Sequence, residues 1–278
     1  MSTTLASRLK DELSSRYSLI PSDQWLNAFL STIHNTSQPL PALTSTAQFR
    51  LVLTDFTTSL SPVQRQVLTA GIQNREVKEQ TLVTDVPVQV LDIQDTSTSK
   101  WSQIEAIERV ERGEEIRGRE VIRNVPGIVD EDSSTVTAAT EDQSSSNTNT
   151  GPSSASSRSG NTARKGSTGP HKLLLQDAAG TKVWAFELSR IERITIVNQN
   201  PPLPGSAGVS SMIPRVVEGM QIGCKLLLKK GTKVRRGMVM LTLIQTTVIG
   251  GKVETWDQKW REGRKARLRQ DLESESNG

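Results

Sequence analysis

The sequence predicts an α+β chain, a three-helix bundle followed by a small five-stranded β-barrel and a closing helix, on three observations. Apolar side chains recur at helical spacing through residues 5–60, residues 133–168 carry almost none, and the last third alternates in short runs punctuated by glycine.

Leu5, Leu9, Leu13 and Tyr17 recur every fourth residue, and Trp25, Leu26, Phe29, Leu30 and Ile33 form a second stripe. Phe49, Val52, Leu53, Phe56 and Leu60 form a third. Pro21-Ser22 opens the second helix with a cap, and Pro39 and Pro41 separate it from the third. These helices make an N-terminal domain over 1–75, with the stripes as its core or, alternatively, as a groove for a partner.

Within the stretch from Gln80 to Ile93 the alternation from Val86 to Ile93 is that of a strand, with Pro87 placing its first half at an edge. Residues 98–112 turn helical: Trp101, Ile104, Ile107 and Val110 give one apolar edge, and Glu105 with Arg109 forms a favourable pair. The polar stretch 133–168 buries too little to offset an ordering cost of ~1–2 kcal/mol per residue. It is expected to be disordered and dispensable for folding, within a disordered region at about 130–170. Residues 171–176 and 182–188 form a hairpin with Trp184, Phe186 and Leu188 on one face. After a Pro/Gly-rich loop at 198–211, Leu226 to Leu228, Met238 to Leu243 and Thr246 to Ile249 read as strands, and a charged helix with Trp256 and Trp260 closes the chain. One strand before the polar stretch, a hairpin after it and two or more strands near the end is the count of an OB-fold. The second domain is then 76–252, with an insertion at 95–170 between its first and second strands, and 253–278 is the helical tail.

Composition narrows the chemistry. A hydrophobic share of 34% plus 19 glycines comes to about 41%, below the ~45–50% of ordinary globular chains. The net charge of +4 fits an acidic partner or a lysine-rich surface equally. A single cysteine, Cys224, excludes an intramolecular disulfide and a cysteine-rich zinc site. His34 and His171 lie far apart in sequence without a nearby acidic partner, so neither a metal site nor a His-dependent triad is expected. The sequence predicts no enzyme, no cofactor, no metal and no membrane segment.

Binding is the remaining class. Between Lys225 and Arg236 stand six basic residues and no acid: Lys225, Lys229, Lys230, Lys233, Arg235 and Arg236. On an OB-fold the last five cluster at a ligand loop, as phosphate contacts or as a solvated rim. Trp184 and Phe186 are the available stacking platforms, with barrel core the expected home of at least one. Trp101, on a charged inserted helix with Ile104 and Ile107, suits an anchor to another protein, or else caps the barrel.

Three motifs carry a resemblance. They are Gly223, Lys225, Leu226 and Leu228 in G-x-K-L-x-L; Arg235, Gly237 and Leu241 in R-x-G-x-x-x-L; and Val248 to Glu254 in V-x-G-G-x-V-E. Pro21, Trp25 and Leu26, the run from Gln48 to Phe56, and K-W-S-Q-I from Lys100 to Ile104 extend it. Through these residues the chain resembles the family of the RecQ-mediated genome instability protein, first subunit, over about 20–115 and 171–260. The resemblance implies a nuclear, non-catalytic OB-fold subunit that partners a type IA topoisomerase (topoisomerase III) and a RecQ-family helicase. Such a subunit promotes dissolution and decatenation of joined DNA in recombination, replication and repair, its insertion reaching the topoisomerase gate, with weak binding of branched or single-stranded DNA. The alternative is a free-standing single-stranded nucleic-acid-binding module, which would expose its aromatic residues on the barrel face.

Overall fold

Helix α1 (Ser2–Tyr17) buries Leu9 and Leu13, with Leu5 and Tyr17 packed beside them, as the four-residue stripe requires. The structure, a computed structural model, describes residues 2–33, 39–63, 66–112, 167, 169–197 and 219–276. Ser22 caps α2 (Asp23–Ser31) by accepting from the Trp25 N–H, and Leu26 and Phe29 face α1. Helix α3 (Leu40–Val52) departs from the expected stripe. Its buried face is Leu43, Thr44, Ala47, Leu51 and Val52, while Phe49 is 64% exposed. The reason is a break at Leu53 and Thr54, after which Phe56 starts a separate single turn, α4 (Phe56–Ser59), capped by Asp55. Three helices are thus joined by a fourth, and His34 lies outside the described residues.

The chain then crosses to the barrel. Leu68 and Ile72 sit in the barrel core rather than in the bundle. Strand β1 (Gln80–Thr81) is a two-residue edge, and β2 (Val86–Asp95) is the long strand expected from the alternation. Its Val86 to Gln89 half pairs with a later strand and its Gln89 to Asp95 half with the hairpin, so Pro87 lies where the strand is paired on one side only. An irregularity between Val90 and Asp92 bends it so that it serves both partners. Ser99 caps α5 (Lys100–Glu111).

Residues 113–166, which hold most of the expected insertion, lie outside the described residues, as does the loop at 198–211. At Ser167 the expectation of disorder fails: its N–H donates to the Ile196 carbonyl and its Oγ accepts from the Ile196 N–H. The hairpin is present as β3 (His171–Gln176) and β4 (Lys182–Glu187). Four strands follow, β5 (Lys225–Leu228), β6 (Lys233–Arg235), β7 (Met238–Leu241) and β8 (Thr246–Gly250), before α6 (Glu254–Ser276).

Among the described residues eight strands form one mixed sheet where five were expected, in the order β1-β6-β7-β4-β3-β2-β5-β8. The β4 and β7 pair is parallel and the others antiparallel. Strands β5 and β6 stand second from opposite ends, yet residues 229–232 alone join them. In a flat sheet they would lie about 24 Å apart, whereas the link reaches only about 17 Å when extended. The sheet must curl, and it does so around Val88, Val90, Leu173, Leu175, Val183, Ala185, Leu226, Val234, Val239 and Leu241. Gly251, at φ +81°, lets the end of β8 meet the α3 terminus: a Cβ there would stand 2.2 Å from the Val52 carbonyl oxygen.

Candidate functional site

The basic rim is built by a tight hairpin. Arg236 and Gly237, at φ 47° and 75°, form a two-residue turn of the left-handed kind between β6 and β7. Gly237 is required there, since a Cβ would stand 2.4 Å from the Gln73 carbonyl oxygen. The turn leaves Arg236 exposed, with Lys233 and Arg235 exposed behind it and Lys229 and Lys230 at the β5 end. Glu79, remote from them in sequence, binds Lys233 at 3.1 Å and Arg235 at 2.8 Å. Hydrogen bonds from Lys233 and then Arg235 hold the Glu79 carboxyl below its ordinary value. The side chains of Lys229, Lys230 and Arg236 form no ion pair among the described residues, although the Lys230 backbone N–H donates to Asp85 Oδ1 at 2.7 Å.

Lys225 does not belong to this rim. It is fully buried, its Nζ donating to Gln89 Oε1 at 2.9 Å and lying 4.5 Å from the Phe56 ring centre. The Phe56 N–H donates to the same oxygen, and Gln89 Nε2 donates to Asp55 Oδ1 and Gln176 Oε1. This cluster joins α4 to β2, β3 and β5, and burial pushes the Lys225 ammonium down to about 7. Its neighbour Cys224 is a packed thiol that burial pushes up to about 11.

Helix α5 is bolted along one side to α6. Lys100 meets Glu275, Glu108 meets Lys265 and Arg269, and Glu111 meets Lys265, at 2.5 to 3.3 Å. Beneath these pairs Gln103 donates to the Asp95 and Thr98 carbonyls and accepts from Arg264, whose guanidinium burial pushes down to about 10. The three residues expected to face a partner separate. Trp101 is 69% exposed, Ile107 is partly buried, and Ile104, at 4%, is buried and holds the helix in place.

The hairpin aromatics also fall differently from expectation. Neither is in the core: Val183 and Ala185 point inward, and Trp184 and Phe186 lie partly exposed on the outer face of the curl. Pairing aligns Arg235, Met238, Trp184 and Leu174 in one outer row and Met240, Phe186 and Lys172 in the next. Lys172 Nζ stands 4.3 Å over the Trp184 ring.

One constellation was missed by sequence reasoning. His171 Nδ1 lies 2.6 Å from Glu187 Oε2, and His171 Nε2 lies 2.6 Å from Ser167 Oγ. Glu187 is sixteen positions away but across the hairpin end, which only the β3 and β4 register could have disclosed. Burial alone would raise the Glu187 carboxyl, but hydrogen bonds from His171 and the Ile191 N–H hold it below its ordinary value. The Ser167 oxygen already accepts from the Ile196 N–H, so this chain of bonds clasps the returning backbone to the barrel. Among the described residues no three His, Cys, Asp or Glu side chains gather as metal ligands.

The family model described as RMI1, N-terminal OB-fold domain, matches residues 68–205 and 210–264, and that described as RMI1, N-terminal helical domain, matches residues 13–59. RecQ-mediated genome instability protein 1 of Schizosaccharomyces pombe is similar, 29% identical over 89 residues. The aligned part is 32% of this chain and spans 28% of that protein's length.

Proposed function

This chain belongs to the RMI1 family, and from that premise we propose that it is a non-catalytic OB-fold subunit joining a topoisomerase III to a RecQ-family helicase. The assembly works in the nucleus, where it promotes dissolution and decatenation of joined DNA during recombination, replication and repair. No helix among the described residues is long and apolar enough to cross a membrane.

What supports a docking role is the exposure of Trp101 on a helix whose other side is fastened to α6. A large aromatic held on a rigid support loses little conformational freedom on binding and is the usual centre of an interface hot spot. An arm of this kind biases the topoisomerase gate by binding its conformations unequally. The rim residues Lys229, Lys230, Lys233, Arg235 and Arg236 supply weak phosphate contacts to the DNA being processed.

The test is co-purification of topoisomerase III and the helicase with the full chain. The wild type is expected to retain both, and Trp101→Ala to lose the topoisomerase. A wild-type complex lacking either enzyme refutes the assignment. A second reading, the free-standing nucleic-acid module, is favoured by the outward Trp184 and Phe186 alone.

A further inference from the structure

Loops that are distant in sequence are laced together by their backbones on one side of the barrel. The Leu188 N–H donates to the Leu241 carbonyl and the Leu243 N–H to Ser189 Oγ, joining the end of β4 to the turn after β7. That turn also meets the link between β5 and β6, because the Lys229 N–H donates to the Gln245 carbonyl and Gln245 Nε2 to the Gly231 carbonyl. The Gly231 N–H in turn donates to the Leu82 carbonyl. Val83, Leu188, Leu243 and Ile244 therefore stand along one continuous ledge, and all are exposed, Ile244 at 81%.

The fold itself does not call for them. The Gln245 and Thr246 N–H groups both donate to the Thr242 carbonyl, so Leu243 and Ile244 occupy the middle of a tight turn, where asparagine, aspartate, serine or glycine would serve the backbone as well. Large aliphatic side chains held out on a fixed loop mark a binding surface rather than a connection.

Cations border the ledge. Lys229 and Lys230 adjoin Gln245, and their side chains form no ion pair among the described residues. On the other flank Arg190 lies 3.9 Å from the buried Glu187 carboxylate, and Arg193 donates to the Val248 carbonyl at 2.9 Å. The exposed carboxylates of the same loops are Glu192 and Asp85, and Asp85 already accepts from the Lys230 N–H. The border is therefore net positive.

We infer that this ledge docks a partner protein through an extended acidic segment, with apolar side chains on Leu188, Leu243 and Ile244 and carboxylates at Lys229, Lys230 and Arg190. Charge sets the sign of the segment, since a basic one would bring like charges together. Composition sets its class. The ledge carries no aromatic ring, so it offers a base no stacking platform, and it lacks the tryptophan and tyrosine that seat a protein at a membrane interface. A second copy would bring the same positive border against itself. Segment and DNA meet only at Lys229 and Lys230, where carboxylates compete with the rim's phosphate contacts. The inference goes beyond the proposed complex and does not require it.

The test titrates the full chain, methyl-labelled at leucine, isoleucine and valine, with a probe peptide of about ten residues in which a pair of leucines stands among glutamates. The methyl signals of Val83, Leu188, Leu243 and Ile244 are expected to shift. Leu243→Ser combined with Ile244→Ser should weaken peptide binding about tenfold or more, leaving the melting temperature and the binding of oligothymidylate unchanged. Lys229→Glu combined with Lys230→Glu should weaken it as well and flatten its salt dependence. The same peptide with lysines in place of glutamates should not bind. Absence of shifts at these methyl groups at low salt overturns the inference, as does equal binding of the basic peptide. Equal loss of peptide and oligothymidylate in the apolar double variant makes the ledge a nucleic-acid surface. A wild-type dimer that Ile244→Ser turns into a monomer makes it an interface between copies, and either outcome overturns the inference.

Discussion

Replacing Lys225 with methionine should abolish the pH dependence of one interface. Lys225 is wholly buried between α4 and the barrel, and burial brings its ammonium from an ordinary 10.5 down to about 7, against the opposing pull of Asp55. Between pH 7 and about pH 10 the unfolded chain therefore holds one proton more than the native chain at this residue. Stability then rises with pH in that window, by about 1.4 kcal/mol per unit. Below pH 7 both states are charged and the burial cost of the cation is fully present. Methionine keeps the stem against Phe56 and removes the titration. The variant should be more stable than the wild type at pH 7 by ~1–4 kcal/mol, as when a buried ion gives way to a hydrophobe of similar volume. That advantage should shrink by about 2–3 kcal/mol at pH 9. Urea unfolding of both chains at pH 7, 8 and 9 measures the difference, in which the titration of Cys224 cancels. A difference independent of pH would mean that Lys225 remains charged in the native state and would refute the reasoning.

Trp101→Ala should leave the free chain within about 0.5 kcal/mol of wild-type stability, because the side chain vacates no pocket, while affinity for topoisomerase III falls about thirtyfold, worth ~2 kcal/mol. Calorimetry of the free variant beside a binding isotherm separates the two. Charge reversal at Lys229, Lys230 and Arg236 should weaken DNA binding evenly across sequences and flatten its salt dependence; unchanged affinity in a filter-binding titration assigns the rim to solvent. His171→Leu leaves the Glu187 carboxylate buried without its partner and should destabilise the fold by about 3 kcal/mol, readable as a lower denaturant midpoint. A loss under 1 kcal/mol would show that the Ser167, His171 and Glu187 bonds do not hold the barrel end.

The parts of this fold that could be read in advance are those where one physical signal dominates. Leu9 and Leu13 in α1 and the alternation of β2 are of that kind. In α3 two signals compete: Phe49 and Leu53 are apolar yet exposed, and the small side chains of Ala47 and Thr44 take the core because they allow close approach to α1. The three-residue β6 has a single apolar side chain, Val234, between two cations, too short a pattern to register. The site was half legible for the same reason. Charge clustering disclosed Lys229 to Arg236, but Lys225 is distinguished from them only by its place in a strand hydrogen-bonded on both sides. On β4 both alternating sets are apolar, so sequence could not say which faced inward; curvature decides, since the concave side admits Val183 and Ala185 more readily than the larger Trp184 and Phe186.

The pairing of Val86 with Leu228 sets a schedule for the ribosome. The two residues are about 140 positions apart, and synthesis proceeds at roughly 5–20 residues per second. For something like seven to thirty seconds β2 is outside the exit tunnel before the strand that covers one of its sides has been made. The β4 strand likewise waits for β7, its parallel neighbour. Val86, Val88 and Val90, fully buried at the end, are exposed as an unpaired apolar edge throughout that interval. The nascent chain is thus a natural client for a holding chaperone, and truncation anywhere before β5 should yield an aggregating fragment rather than a smaller folded domain.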